Sequence, residues 1–410
     1  MEASHEILDN GLSVYAKEFP GLETVGISLG VNTGSVDEKP RINGSSHFLE
    51  HMLFKGTASR TWKQIDDQLK ELGAYHNAFT DHESTVYIIQ VYKGYFQKAM
   101  EILSDMIINS TIPEKEFNLE RGPIINENLI HHDNPRYLIS DFIPKALYRK
   151  NPARMSVGGD NDTTIMNVRR NDLLGIYKRY YTPRNCVLAI YGGIKKESAF
   201  SSAEKFFGAM SGKYHEPRRT PAREAQRHKV LSISRKGIKQ TRVGVGFMCR
   251  EFNERSVDEF LGLSVIERYL DDKLFEEVRE KRGLSYDPMA SYNPYGSFGF
   301  IAAAAGVEPK NLGKAHEVMM EEFRKLQDGE IDKAEFERTK KALYVEGKIK
   351  KEGSLEMSVS MVTFALMYGG PGLLERMPEL IKGVGIDDAR KYCSKYINID
   401  KSGEVLLKPA

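Results

Sequence analysis

The sequence has few cysteines and no long apolar run, and each of these absences excludes a class of protein. Cys186, Cys249 and Cys393 are the only cysteines, and no two of them have C-x-x-C spacing. An odd number at such spacing favours neither a disulfide framework nor a thiolate metal site, so we expect buried, reduced thiols. No apolar run approaches the roughly 20 residues that a membrane helix needs. The first residues resemble neither a signal nor a transit peptide, so the sequence predicts a cytoplasmic protein without a membrane partner.

The sequence also lacks an excess of charge of either sign. Lys and Arg number 59, Asp and Glu number 57, and the formal net charge is +2. This balance does not indicate nucleic acid as a partner. With 40% hydrophobic and 28% charged residues, the composition is typical of a globular protein. A chain of 410 residues exceeds what one core usually supports, which favours two domains of about 200 residues.

The first half of the sequence predicts an alternation of strands and helices. Asn10-Gly11 is typical of a hairpin turn, and alternating apolar residues from Val25 to Val31 predict a half-buried strand. Ser45 or Ser46 is expected to cap the next helix. Two further strands are predicted over 74–80 and 84–91. The order of elements indicates an α+β fold.

A similar order of elements recurs about 215 residues later, which indicates an internal duplication. Val243, Val245 and Phe247 repeat the alternation of the earlier strand. Residues 215–228 are rich in Pro, Arg and Glu, as in a linker. We therefore predict an N-terminal half over 1–214, a linker over 215–228 and a C-terminal half over 229–410. Chance similarity of two α+β segments is the alternative.

The segment His47-Phe48-Leu49-Glu50-His51 has the spacing of a metal site. Residues four apart lie on one face of a helix, so His47 and His51 can offer two imidazoles to one Zn²⁺. Glu50 lies beside them and can take a proton from a water on the metal without being a ligand. A solvated helix face is the alternative. The apolar neighbours disfavour it, because an unpaired imidazole among them would be costly.

A catalytic zinc needs a third protein ligand and an open fourth position. Glu127 is the best candidate, and Glu120 lies seven residues before it, near the same helical face. Either carboxylate could bind the metal, or one could bind while the other orients a histidine or the substrate.

Residues 45–57, SSHFLEHMLFKGT, resemble the active-site segment of the M16 metallopeptidases, which include pitrilysin, insulinase and the mitochondrial processing peptidase. Residues 120–127, ERGPIINE, resemble the segment that completes the family's zinc site. The resemblance implies one Zn²⁺ per chain with His47, His51 and Glu127 as ligands. It also implies Glu50 as the general base and Glu120 as a supporting carboxylate.

Two features depart from a simple reading of this resemblance. Pro123 lies between the two glutamates, where the family usually has an aliphatic residue. Proline inside a helix costs about 3 kcal/mol and can kink it, so the two carboxylates need not share a face. The second half has no His-x-x-Glu-His at the equivalent position. It is therefore not expected to hold a second zinc of this kind.

Further similarities concern the binding of substrate. Residues 77–80, which are Asn77, Ala78, Phe79 and Thr80, resemble the family's edge strand, which binds a peptide as an additional strand. Residues 274–286 resemble a second-half segment whose Arg and Tyr reach the substrate, here Arg279 and Tyr286. Without the resemblance, the first segment is an ordinary strand, Arg279 a surface ion-pair residue and Tyr286 a core aromatic.

The resemblance implies the shorter type of M16 enzyme. Its fold would be two similar α+β halves, each a sheet with helices on one side, arranged as a clamshell around a chamber. Its reaction would be zinc-hydroxide attack on peptide bonds of unfolded peptides or presequence-like segments. A homodimer is expected, because one chain carries both the zinc motif and the pair Arg279 and Tyr286. The alternatives are a non-catalytic polypeptide-binding or assembly subunit of the same fold, and a structural zinc protein.

Overall fold

The computed structural model describes residues 3–159, 162–238 and 240–410. The strands in chain order are β1 (Ser4–Ile7), β2 (Ser13–Glu18), β3 (Thr24–Val31), β4 (Tyr75–Thr80), β5 (Thr85–Tyr92), β6 (Cys186–Gly192), β7 (Lys229–Arg235), β8 (Thr241–Cys249), β9 (Met289–Pro294), β10 (Gly299–Val307) and β11 (Gly403–Pro409).

The helices occupy most of the chain between these strands. In chain order they are α1 (Ser45–Leu53), α2 (Trp62–Glu71), α3 (Phe96–Ile108), α4 (Glu114–Asp133), α5 (Pro135–Leu147), α6 (Asp162–Asn167), α7 (Arg170–Tyr180), α8 (Lys196–Phe207), α9 (Val257–Leu274), α10 (Leu312–Gln327), α11 (Lys333–Ile349), α12 (Ser354–Tyr368), α13 (Gly372–Gly383) and α14 (Ile386–Tyr396). A π-helical turn, Phe275–Glu280, continues α9.

The first compact unit is built around a mixed sheet. It comprises Met1–Asn128, Met155–Arg219 and Lys348–Arg376. Its strand order is β1-β2-β6-β3-β5-β4, with β2 and β6 parallel and the other neighbours antiparallel. The predicted hairpin joins β1 to β2, and Gly11 in its turn has φ of 92°. Such a positive φ favours glycine.

Both faces of this sheet are covered. On one face, Val25, Ile27 and Leu29 of β3 join a core that includes residues of α1, α2, α3 and α8. On the other face, α12 packs so closely that a Cβ on Gly26 would lie 2.2 Å from the Ser354 carbonyl oxygen. The α+β class with helices on one side of the sheet is confirmed, and α12 is an additional helix on the other side. The small side chains on this face of β3 leave room for the backbone of α12.

The second compact unit repeats the topology of the first. It comprises Leu129–Arg154, Thr220–Gly347 and Met377–Ala410, and its strand order is β7-β11-β8-β10-β9. These strands correspond in order and direction to β2-β6-β3-β5-β4, including one parallel pair, β7 with β11. The internal duplication expected from the sequence is therefore confirmed by two sheets of the same topology.

Each sheet receives one helix from the other half of the sequence. In the second unit, α5 packs closely on Gly244 and Gly246 of β8. A Cβ atom added to Gly244 would lie 3.1 Å from Ile139, and one added to Gly246 would lie 3.0 Å from Ile143. Helix α12 fills the corresponding place on the first sheet. The compact units therefore differ from the two contiguous halves predicted from the sequence, 1–214 and 229–410. The reason is that the second face of each sheet is buried under a helix from the other half. The Met155–Arg219 segment of the first unit ends inside the predicted linker.

The three cysteines are buried and free, as expected. Burial raises the pKa of the Cys393 thiol to about 12. Among the described residues, no single helix is long and apolar enough to cross a bilayer, and α12 and α13 meet that test only together, across a bend of 93°.

Candidate metal centre

Helix α1 carries the histidine motif, and a glutamate caps its start. Gly44 is the N-cap residue, with φ of 94°. The Glu38 carboxylate accepts the backbone N–H groups of Gly44 at 2.7 Å and Ser46 at 2.6 Å. Burial raises the pKa of Glu38 to about 7, although these hydrogen bonds oppose the shift. The prediction that Ser45 or Ser46 caps α1 is wrong, because a carboxylate outside the helix satisfies these N–H groups.

Helix α4 is held against α1 by aromatic packing. The rings of Phe48 on α1 and Phe117 on α4 stack with centroids 4.8 Å apart. The Arg121 guanidinium lies 5.0 Å from the centroid of the Phe117 ring. Helix α4 continues through Pro123 to Asp133. Pro123 therefore does not break the helix between Glu120 and Glu127.

His47, His51 and Glu127 converge to form a site of the size that one metal ion requires. The two Nε2 atoms of the histidines are 3.3 Å apart. The Glu127 oxygens lie 3.2 Å from Nε2 of His51 and 3.7 Å from Nε2 of His47. Tetrahedral ligands at zinc-bond lengths are separated by about 3.3–3.4 Å, since the edge of a tetrahedron is about 1.6 times its centre-to-corner distance. The two histidine nitrogens match this separation, and each lies within 3.7 Å of one Glu127 oxygen, so the three side chains can bind one ion together.

Glu120 binds the far side of the same histidine. Its Oε1 accepts from Nδ1 of His51 at 3.0 Å, and its Oε2 accepts from Nζ of Lys55 at 2.7 Å. With its proton on Nδ1, the imidazole presents the lone pair of Nε2 to the cluster. Glu120 thus supports the histidine while Glu127 lies among the ligand atoms. Sequence reasoning missed Lys55, although it follows the motif directly.

The electrostatics of the cluster favour a positive charge. Burial alone would lower the pKa of His51, but hydrogen bonds with Glu120 and Glu127 outweigh it and raise the pKa to about 9. Burial would raise the pKa of Glu120, yet the hydrogen bonds from His51 and Lys55 hold it below its usual value. The carboxylates thus stabilise a cation here. A bound metal ion would take the place of the proton on Nε2 of His51.

Glu50 is buried beside the histidines and its carboxylate is engaged from another direction. The Thr80 hydroxyl at the end of β4 donates to Oε2 of Glu50 at 2.6 Å. Burial raises the pKa of Glu50 to about 7, although the Thr80 hydrogen bond and the charge of His51 oppose the shift. Glu50 lies outside the group of three potential ligands. It is therefore placed to exchange a proton near the site.

Two buried tyrosines near Glu50 were missed by the sequence reasoning. The hydroxyls of Tyr87 on β5 and Tyr181 after α7 are 2.7 Å apart. Burial, the neighbouring Tyr181 and the charge of Glu50 raise the pKa of Tyr87 well above its ordinary value. Both hydroxyls therefore stay protonated.

Asn77, Ala78, Phe79 and Thr80 lie on an edge strand. In the described part of the chain, β4 is the last strand of its sheet and pairs only with β5. Thr80 points towards α1, and Phe79 packs on the opposite face against the cluster that contains Met357 and Met361 of α12. An edge strand leaves backbone N–H and C=O groups available for pairing. The binding of substrate there remains a prediction.

Arg279 and Tyr286 form a pair in the second unit. The Arg279 guanidinium carbon lies 4.3 Å from the centroid of the Tyr286 ring, and Nη1 donates to the Tyr286 carbonyl at 3.1 Å. The tyrosine is 78% exposed. This exposure rules out a core aromatic, which was the alternative reading of Tyr286. Contact of either residue with substrate remains a prediction.

The fold and the cluster together define a two-domain α+β protein with a candidate metal site of the His-x-x-Glu-His type. Residues 14–161 match the family Insulinase (Peptidase family M16), and residues 167–343 match Peptidase M16 inactive domain. The chain belongs to peptidase family M16.

Relatives and a solved structure agree with this assignment. A zinc protease of Rickettsia bellii, named as uncharacterized, is 30% identical over 81% of this chain and 80% of its own. The mitochondrial-processing peptidase subunit beta of Caenorhabditis elegans is 25% identical over 95% of this chain and 86% of its own. The crystal structure of a protease from Helicobacter pylori has a TM-score of 0.91, 20% identity, and coverage of 100% and 99%. These names support a zinc-dependent metallopeptidase.

Proposed function

We propose that the chain is a zinc-dependent endopeptidase that hydrolyses unfolded peptides or presequence-like segments. The observation that carries the proposal is the convergence of His47, His51 and Glu127, whose ligand atoms all lie within 4.8 Å of one another. Three protein ligands leave a fourth position for water or substrate, as in catalytic rather than structural zinc sites. One zinc per chain is proposed, since the second half lacks the motif.

The residues of the first unit have distinct tasks in this reaction. When bound, Zn²⁺ lowers the pKa of water and polarises a carbonyl oxygen. Glu50 accepts a proton from the attacking water and passes it to the leaving amine. Thr80 holds the Glu50 carboxylate through its hydroxyl. Glu120 and Lys55 hold the His51 ring in the required orientation.

The edge strand β4 supports a preference for extended substrates. A peptide that pairs with β4 needs free backbone N–H and C=O groups, which a folded protein keeps paired internally. Thr80 lies at the end of this strand and contacts Glu50. A peptide paired with β4 would therefore run beside the catalytic glutamate.

We expect unfolded polypeptides to be cut and stable folded proteins to be spared. The test compares one small protein with a variant of it that is destabilised by a core substitution, at equal concentrations. Product formation is followed by mass spectrometry. Equal rates for the folded and the unfolded form would contradict binding as an added strand.

Tyr286→Phe is expected to lower kcat more than it raises KM. A hydroxyl that donates to the developing oxyanion acts chiefly in the transition state, and loss of one such donor costs about 10²–10³ in rate. Zinc content and thermal stability should stay unchanged, because the ring is retained and the hydroxyl lies on an exposed side chain. Single-turnover kinetics on a short peptide measure the effect.

Tyr95→Phe is the matched control for this variant, since Tyr95 is also an exposed tyrosine, at 48%. It should behave as the parent protein does. An undiminished chemical step in Tyr286→Phe would show that the hydroxyl takes no part in the reaction.

A non-catalytic polypeptide-binding or assembly subunit is the alternative function. The presence of Glu50 beside a complete ligand set disfavours it, because a subunit that only binds polypeptide needs neither. A homodimer is proposed, and sedimentation of the purified chain would test it. The clamshell arrangement and the cytoplasmic location stay predictions.

A further inference from the structure

Arg219 is a largely buried arginine in a segment without helix or strand. It lies in the predicted linker and is the last residue of the Met155–Arg219 segment of the first compact unit. Its Nε and Nη2 donate to the two carboxylate oxygens of Asp37 at 3.0 and 2.6 Å. Nη1 donates to the side-chain oxygen of Asn32 at 2.8 Å, and Nη2 also donates to the Glu83 carbonyl at 2.8 Å. One guanidinium thus joins its own segment to two loops, the connection from β3 to α1 and the turn from β4 to β5.

The partners of Arg219 lie in loops that lead into elements of the metal site. Asp37 immediately precedes Glu38, whose carboxylate caps the helix of the histidine motif. Glu83 lies in the turn that follows Thr80 and joins β4 to β5. The two loops also bind each other, since the backbone N–H of Ser35 donates to the Asp81 carbonyl at 3.2 Å. Arg219 therefore binds both the loop that leads into α1 and the turn at the end of the edge strand.

Arg219 is distinguished from the neighbouring Arg218 by its burial and by its charged partners. The side chains of Arg219, Asp37 and Glu83 are 15%, 5% and 5% exposed. Removal of the guanidinium would take the paired counter-charge from the buried Asp37 carboxylate, which is costly. A lysine cannot reproduce the paired hydrogen bonds to Asp37. The neighbouring Arg218 is exposed and provides a natural comparison.

We propose that Arg219 is a positioning residue for the peptidase reaction. It holds the loop before α1 and the turn after β4 together. This contact maintains the hydrogen bond between Thr80 and Glu50 and the position of the edge strand β4 beside the metal ligands. The inference rests on the proposed function, because it assigns Arg219 a task within that site. It also assigns a role to the linker, which is attached to the site at the point where the chain leaves the first unit.

The activity test compares Arg219→Gln with Arg218→Gln in the zinc-loaded, full-length protein. A displacement of about 1 Å in an active site can cost about 10²-fold. We therefore expect kcat/KM for an unstructured quenched peptide to fall about 10- to 100-fold in Arg219→Gln. KM should rise and kcat should fall together, because the variant disturbs both the edge strand and Glu50. Zinc content should match the parent, and Arg218→Gln should cleave as the parent does.

Hydrogen exchange gives a readout that does not depend on activity. In Arg219→Gln, amide exchange should increase in peptides that cover 32–46 and 76–85, but not in those that cover the core strands β3 and β6. Arg219→Lys should fall between the parent and Arg219→Gln, and it replaces the glutamine variant if that variant does not fold. The double variant Asp37→Asn, Arg219→Gln should lose less free energy of unfolding than the sum of the losses in the two single variants.

The outcomes separate this inference from the proposed function. If the parent and Arg218→Gln cleave the peptide, and Arg219→Gln cleaves it equally well with unchanged exchange, the positioning role is wrong and the peptidase stands. A lower melting temperature with unchanged kcat/KM in the folded variant would also overturn it, since that result indicates a purely structural arginine. If the parent itself fails to cleave, the proposed function fails, and the exchange data still decide whether Arg219 fixes the two loops.

Discussion

Glu50→Gln is expected to keep its zinc and to lose nearly all hydrolysis. Glutamine preserves the shape of the side chain and can still bind the Thr80 hydroxyl, but it cannot accept a proton from water. General-base catalysis contributes about 10²–10⁴-fold to rates, and kcat should fall by at least that factor. Zinc should remain, because Glu50 lies outside the ligand group of His47, His51 and Glu127.

The measurement combines metal analysis with single-turnover cleavage of an unstructured peptide. Glu71→Gln serves as the control, since Glu71 is an exposed glutamate of α2. It should retain both zinc and activity. Loss of metal from Glu50→Gln would show that Glu50 is a ligand. Retained turnover would show that Glu50 takes no part in the reaction.

Glu127→Gln should weaken zinc binding more than Glu120→Gln does. Glu127 lies among the ligand atoms, whereas Glu120 binds Nδ1 of His51 on the far side of the ring. Loss of a supporting group typically costs about 10–100-fold in metal affinity, and loss of a direct ligand should exceed that range. Competition with a chromophoric chelator gives both affinities. The reverse order would show that Glu120 is the third ligand.

Saturating zinc separates the two variants further. Glu120→Gln should recover most of its activity, because its ligand set is complete once the metal is bound. Glu127→Gln should not recover, since its site lacks one of three ligands even when zinc is in excess. Equal recovery in both would contradict the assignment of different tasks to the two carboxylates.

Local sequence patterns predicted the parts of the protein that depend on spacing alone. The i, i+4 relation of His47 and His51 is fixed by the geometry of a helix, so their proximity follows from the sequence. Alternating apolar residues predicted β3 and β8, and the recurrence of that pattern predicted the duplication that the two sheets confirm. These features need no knowledge of distant contacts.

Other features depend on contacts between distant residues, which periodicity does not encode. Apolar spacing shows that α5 and α12 each bury a face, but not that each covers the sheet of the other half. The cap of α1 comes from Glu38, outside the helix, and two serines at its start gave a more local but wrong explanation. Lys55 was missed because its partner Glu120 lies on another helix.

Pro123 was expected to kink α4, but its effect on the helix is small. Proline removes one hydrogen bond of the helix, and the carbonyl left without its partner belongs to Leu119. Leu119 is 60% exposed, so this part of α4 faces water, which can satisfy the carbonyl. The helix therefore continues to Asp133. The carboxylates on either side of Pro123 both reach His51.

One zinc held by His47, His51 and Glu127 is proposed to make this chain a peptidase. The most direct test removes all metal with a chelator, returns zinc in measured steps and follows cleavage of a quenched, unstructured peptide. We expect no cleavage without metal, and activity that rises with zinc and saturates at one equivalent per chain. Cleavage that persists in the metal-free protein, or one equivalent of tightly bound zinc without any cleavage, would contradict it.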